Sequence, residues 1–113
     1  MGLDQYICAE TGEEESLELA YWRKHPNLHG WFIDKLANGN HDSNCERLYM
    51  TLDTLHEVMQ AVENYNLPKT SGFFFGASYM DRPEKDYTLT QLEKVKKYML
   101  DNPSSKVYYF AWW

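Results

Sequence analysis

Ala20–Phe32, AYWRKHPNLHGWF, is the stretch on which the reading of this chain turns. It holds Tyr21, Trp22, Trp31 and Phe32, the adjacent cations Arg23 and Lys24, His25, Asn27 and His29, and a Pro and a Gly that interrupt a regular helix. A helix that only packs draws on Leu, Ile, Val and Ala at the 3.6-residue period, whereas here aromatic bodies alternate with cationic or hydrogen-bonding heads. That mixture suits a surface that stacks on a ligand and neutralises it. It equally suits a buried aromatic cluster whose charged ends reach out to water.

Upstream, Leu17, Ala20, Tyr21 and Lys24 fall at helical spacing behind Ser16, a good N-cap, and predict a helix that Pro26 stops. A second helix is expected from Asn27, burying Leu28, Trp31, Phe32 and Leu36. Before both, Gly2–Ala9 alternates like a first strand and TGEEE reads as a solvated turn. Downstream, Asn38–Asn44 is a loop by composition, and its His41 and Asp42 lack the further ligands a metal site needs. Cys45–Leu52 reads as a short strand, with Leu48 and Met50 alternating against Tyr49 and Thr51. Thr51 or Asp53 then caps a helix with Leu55, Val58, Met59, Val62 and Tyr65 on one face.

Phe73, Phe74 and Phe75 follow between Gly72 and Gly76, in a loop or short strand whose rings serve the core, a subunit interface or a partner. Tyr79–Asp86 reads as a charged linker. A capping box at Thr88–Gln91 or Thr90–Glu93 is expected to open the last helix, with Leu92, Val95, Tyr98 and Met99 buried and Lys94, Lys96 and Lys97 solvated. Lys106–Trp113, KVYYFAWW, is β-prone on both parities, as in a strand central to its sheet, and is expected to pair with strand one. The order β-α-α-β-α-β-α-β predicts a single α+β domain, a small antiparallel or mixed sheet covered by helices.

The 113 residues include 18 aromatic rings, so buried area comes from rings more than from aliphatics. Seventeen acidic against eleven basic residues argue against a DNA- or RNA-binding surface, which needs a basic face, but leave room for a small anionic ligand held by a few local cations. Cys8 and Cys45 lack redox or zinc spacing and are expected to be free, buried thiols. With neither a leader pattern nor a membrane-spanning run, a cytosolic protein is expected.

MGLDQY, AYWRKHPNLHGWFIDK, NCERLY, LPKTSGFFFG and the terminal YYFAWW together resemble, in the same order, a set of small phage-encoded proteins. This set is similar to the immune-evasion sponges termed anti-CBASS proteins. The resemblance implies capture of a cyclic dinucleotide without catalysis or cofactor, in the host bacterial cytoplasm, by a homo-oligomer such as a tetramer. On that reading Tyr21, Trp22 and Trp31 stack on the bases, Arg23 and Lys24 meet the phosphates, and Asn27 and His29 read base edges or hold the ribose. Two other classes compete with it. His25 and His29 with Asp34 or Glu18 offer acid-base chemistry for a phosphodiesterase, although no HExxH, P-loop or nucleophile-base arrangement accompanies them. An acidic phage protein with exposed rings can also inhibit a host protein by docking on it.

Overall fold

The computed structural model of the chain describes residues 3–12, 15–39, 46–68, 71–72, 76–77 and 82–112. Strands β1 (Asp4–Glu10), β2 (Ser16–Arg23), β3 (Leu48–Met50) and β6 (Val107–Trp112) form an antiparallel sheet in the order β2-β1-β6-β3. Strands β4 (Ser71–Gly72) and β5 (Gly76–Ala77) make a separate two-stranded ladder, and the helices are α1 (Pro26–Leu36), α2 (Leu52–Glu63) and α3 (Arg82–Asp101). The fold is α+β, as the sequence predicts, with the terminal strand central and paired to β1 from Asp4↔Trp112 to Ala9↔Val107.

The first predicted helix is a strand. Ser16–Arg23 pairs with β1, and the register slips between Ile7↔Ala20 and Cys8↔Glu18, which leaves Leu19 as an extra residue on β2. That bulge breaks the period-2 pattern, so that Leu17, Ala20 and Tyr21 also match a helical stripe. α3 lies along β2 and satisfies its outer backbone edge at Tyr21. The Tyr87 hydroxyl donates to the Tyr21 carbonyl at 2.7 Å, and the Tyr21 N–H donates to Gln91 Oε1 at 3.4 Å. An edge strand covered in this way cannot pair with another chain at that point.

The turn from β2 into α1 is set by Lys24, at φ 57°, whose N–H donates to the Leu3 carbonyl at 2.7 Å. Pro26 then opens α1 as its first residue, where a missing N–H costs nothing. α2 is capped by Thr51, whose hydroxyl accepts from the Thr54 N–H at 3.3 Å. Thr51→Ala is expected to cost about 1 kcal/mol in a urea unfolding curve, with an unchanged slope.

α3 begins at Arg82, so residues 82–86 are helix rather than linker. Pro83 sits in the first turn, where proline starts helices as readily as it breaks them elsewhere. Neither expected capping box forms, because Thr88 and Thr90 lie inside the helix and Thr88 is fully buried. Tyr65 falls outside the α2 stripe, beyond the helix end at φ 54°, half exposed and under the Lys85 ammonium at 4.5 Å.

Leu3, just ahead of β1, and Ile7, Ala9, Ala20, Trp22, Val107, Tyr109 and Ala111 from the sheet pack with Leu28, Phe32, Leu55, Val58, Val62, Leu92 and Val95 from the helices. Phe32 stacks on Tyr109 at 4.2 Å between centroids. All three helices contribute to this single core, on one face of the sheet. Cys8 is a free, half-buried thiol that burial pushes above its usual pKa, while Cys45 lies outside the described residues. Phe73–Phe75, His41, Asp42, residues 79–81 and Trp113 also lie outside them.

Candidate functional site

Directly opposed residues in an antiparallel sheet project to the same face. The helix-free face of this sheet therefore carries Arg23, Asp4 and Trp112 in one row across β2, β1 and β6, and Tyr21, Tyr6 and Phe110 in the next. Cys8, Tyr108 and Tyr49 follow in a third row. Among the described residues no helix packs over this face. The alternation of Tyr6 with Ile7 and of Phe110 with Tyr109 was legible in the sequence, but nothing there marked which parity faces the helices.

The face divides into a sealed half and an open half. In the sealed half, Arg47 lies over the Tyr108 ring at 4.8 Å and donates to Glu10 Oε1 at 2.9 Å, while the Tyr49 hydroxyl donates to the same carboxylate oxygen. The Tyr49 hydroxyl, then Arg47, hold the Glu10 carboxyl below its usual pKa. With Arg47 above it, Tyr108 is only 4% exposed.

In the open half, Tyr6 packs between Tyr21 and Phe110, with centroid distances of 5.1 Å and 6.5 Å, to form an aromatic floor. The Tyr21 hydroxyl donates to Asp4 Oδ1 at 2.9 Å, and that carboxylate raises the phenol's pKa, so the hydroxyl stays protonated. Trp112 stands at one end of the first row, 47% exposed. Arg23 stands at the other and Lys24 follows it in the turn, both exposed and without an ion-pair partner among the described residues.

The residues expected to form one cradle therefore separate. Tyr21 and Arg23 lie at the open half of the sheet face, and Lys24 is exposed in the turn that follows β2. Trp22 is turned inward, 1% exposed, and its indole N–H donates to Thr88 Oγ1 at 3.1 Å. Asn27 and His29 are buried in α1. Trp31 belongs to the helical layer, edge-on to Phe32 at 5.4 Å, and lines a cavity of about 440 Å³ with Asp34, Lys35, Glu57 and Pro68. Tyr6, Asp4 and Phe110 are residues of this face that the sequence did not single out, while Trp112, which the sequence left between a pocket and an interface, stands on the open face.

Beneath the sheet, His25, His29, Gln5 and Tyr109 form a polar network. Gln5 Nε2 donates to the His25 carbonyl and to the Tyr109 hydroxyl, each at 3.1 Å, and Gln5 Oε1 accepts from the His25 N–H at 2.8 Å. The Tyr109 hydroxyl, which burial keeps protonated, lies 2.8 Å from His29 Nδ1, and the imidazole tautomer sets which of the two donates. Both histidines are thus engaged in fixing α1 to the sheet, whereas Asp34 and Glu18 are exposed. A groove of about 520 Å³ between α2 and α3 is lined by Glu57, Glu63 and Glu93 with Lys96 and His56, a charge balance unsuited to a phosphate. Among the described residues no group of three or more His, Cys, Asp or Glu is placed to hold a metal ion, and no helix is long and apolar enough to cross a membrane.

No family model matches the chain, and neither a curated protein nor a solved structure is significantly similar to it.

Proposed function

We propose that the chain is a non-catalytic capture protein for a small, flat, doubly anionic ligand of the cyclic dinucleotide class, serving phage immune evasion in the host bacterial cytoplasm as a homo-oligomer. One observation carries the reading: Arg23, a guanidinium without an ion-pair partner among the described residues, stands at the margin of a partly exposed aromatic floor made by Tyr6, Tyr21 and Phe110, over which no described helix packs. A base stacked on an aromatic side chain gains about 1–3 kcal/mol, and an arginine fork takes two phosphate oxygens at once. Lys24 adds a second cation beside it. Binding needs no more than these groups, whereas hydrolysis would need a base and a positioned water, and His25 and His29 are committed to internal contacts.

The test is to incubate the protein with labelled cyclic dinucleotide, denature it by heat and recover the label. Intact ligand supports capture; cleaved ligand makes the chain a phosphodiesterase-like enzyme. Arg23→Ala is expected to weaken binding by about 10- to 150-fold, the equivalent of about 1.5–3 kcal/mol for a charge-assisted contact, with an unchanged melting temperature. Native mass spectrometry would report the number of subunits and any retained ligand together.

The same face favours a second reading, direct docking on a host protein, because the exposed Trp112 is of the type that anchors protein interfaces. If no nucleotide shifts the melting temperature and one host protein is recovered stoichiometrically in a pull-down, this second reading replaces the first.

A further inference from the structure

We infer that the captured ligand carries guanine, and that Asp4 is the residue that selects it; this inference rests on the capture reading above. Asp4 lies at the centre of the first row of the open half, directly opposite Arg23 on one side and Trp112 on the other. A carboxylate there is a liability if the site meets only phosphates. Its place between the cation and the exposed indole makes sense if a hydrogen-bond donor edge of the ligand faces it.

The geometry of the carboxylate is already half fixed. The Tyr21 hydroxyl donates to Oδ1 at 2.9 Å, which restrains the side-chain rotation, and among the described residues Oδ2 has no hydrogen-bond partner. An ionised carboxylate accepts at two oxygens with about four lone pairs, so Oδ2 and the second lone pair of Oδ1 are open to two parallel donors. Guanine presents such a pair on its Watson–Crick edge, the N1–H and the exocyclic N2 amino group. Adenine presents one donor beside an acceptor, N1, which the carboxylate would repel. A site that holds two donors rejects an analogue lacking one of them more strongly than an apolar pocket rejects a change of size.

The span agrees with the ligand class. Arg23 and Trp112 are separated by two strand spacings, ~10 Å, enough for a base against Trp112 with its edge on Asp4 and a phosphate on Arg23. The charges are complementary piece by piece: cation to phosphate, carboxylate to donor edge, ring to ring.

Titration calorimetry of the full chain with the two-guanine, the mixed guanine–adenine and the two-adenine cyclic dinucleotides tests this. The guanine ligands are expected to bind at least tenfold more tightly than the two-adenine ligand. In Asp4→Asn the amide oxygen can keep the Tyr21 hydroxyl while the amide nitrogen turns its donors to the ligand, so guanine affinity is expected to fall at least tenfold and adenine affinity to hold or rise. Equal affinity for all three ligands, or a guanine preference that survives in Asp4→Asn, overturns the inference and leaves the capture reading standing. If none of the three binds, both fall. The melting temperature of Asp4→Asn, expected to match the parent chain, confirms that the change in affinity is not a loss of fold.

Discussion

Trp22→Ala is expected to destabilise the protein by about 3–5 kcal/mol, a large share of the about 5–15 kcal/mol that holds a domain of this size together. Its indole is 1% exposed, shares the core with Leu28, Leu92 and Val95, and spends its only donor on Thr88 Oγ1. Removing it empties a volume that strand β2 and helix α3 enclose from both sides, and a rigid backbone recovers little of that loss. Trp22→Phe keeps most of the ring and forfeits the hydrogen bond, so a smaller cost of about 1–3 kcal/mol is expected. Urea denaturation measures both. The comparison with Arg23→Ala carries the functional point: the folded fraction of Trp22→Phe should bind ligand as the parent does, whereas Arg23→Ala should fold normally and bind poorly. A Trp22→Ala protein within 1 kcal/mol of the parent would mean that this side chain is not the core element described here.

The contrast between these neighbours explains what the sequence could and could not reveal. A strand sends successive side chains to opposite faces, so Trp22 and Arg23, adjacent in the chain, serve the core and the open face respectively. In a helix the two would diverge by only about 100° of rotation. The error came from the bulge at Leu19, which shifts parity midway along β2, and from Leu, Glu and Ala, which favour helices when taken alone. By contrast, the cap at Thr51, the stripe Leu55–Val58–Val62 and the pairing of the terminal strand with β1 were all legible, because each rests on local chemistry or on an unbroken period. Tyr6 and Phe110 escaped notice as site residues for a different reason. Alternation assigns them to a common parity, but which parity the helices cover is decided by the route of the chain, and no local signal encodes that.

Acidification from pH 6.5 to pH 4 is expected to remove on the order of 3 kcal/mol of stability through His25 alone. Its ring is 2% exposed, and Nδ1 accepts the Leu28 N–H at 3.3 Å, capping α1. The Nδ1 lone pair is therefore committed, and the proton of the neutral ring sits on Nε2, 3.7 Å from Glu84 Oε1. Protonation would convert Nδ1 from acceptor to donor, break the cap and place a charge in the protein interior. Burial accordingly lowers the pKa of His25 from 6.5 to about 4, against the smaller opposing effect of a backbone hydrogen bond. Between those values the unfolded chain binds the proton and the folded chain does not, so stability rises with pH. The contribution is fully present above 6.5 and lost as pH falls through 4. Glu10, whose pKa is also lowered, loses its contribution below the carboxylate range, at the acid end of the same titration. His25→Asn isolates the effect, because asparagine is a strong N-cap that can still accept the Leu28 N–H but does not titrate. Urea midpoints measured from pH 4 to 7 should climb steeply for the parent and much less for His25→Asn. Parallel curves for the two proteins would show that the cap is made without a buried neutral imidazole.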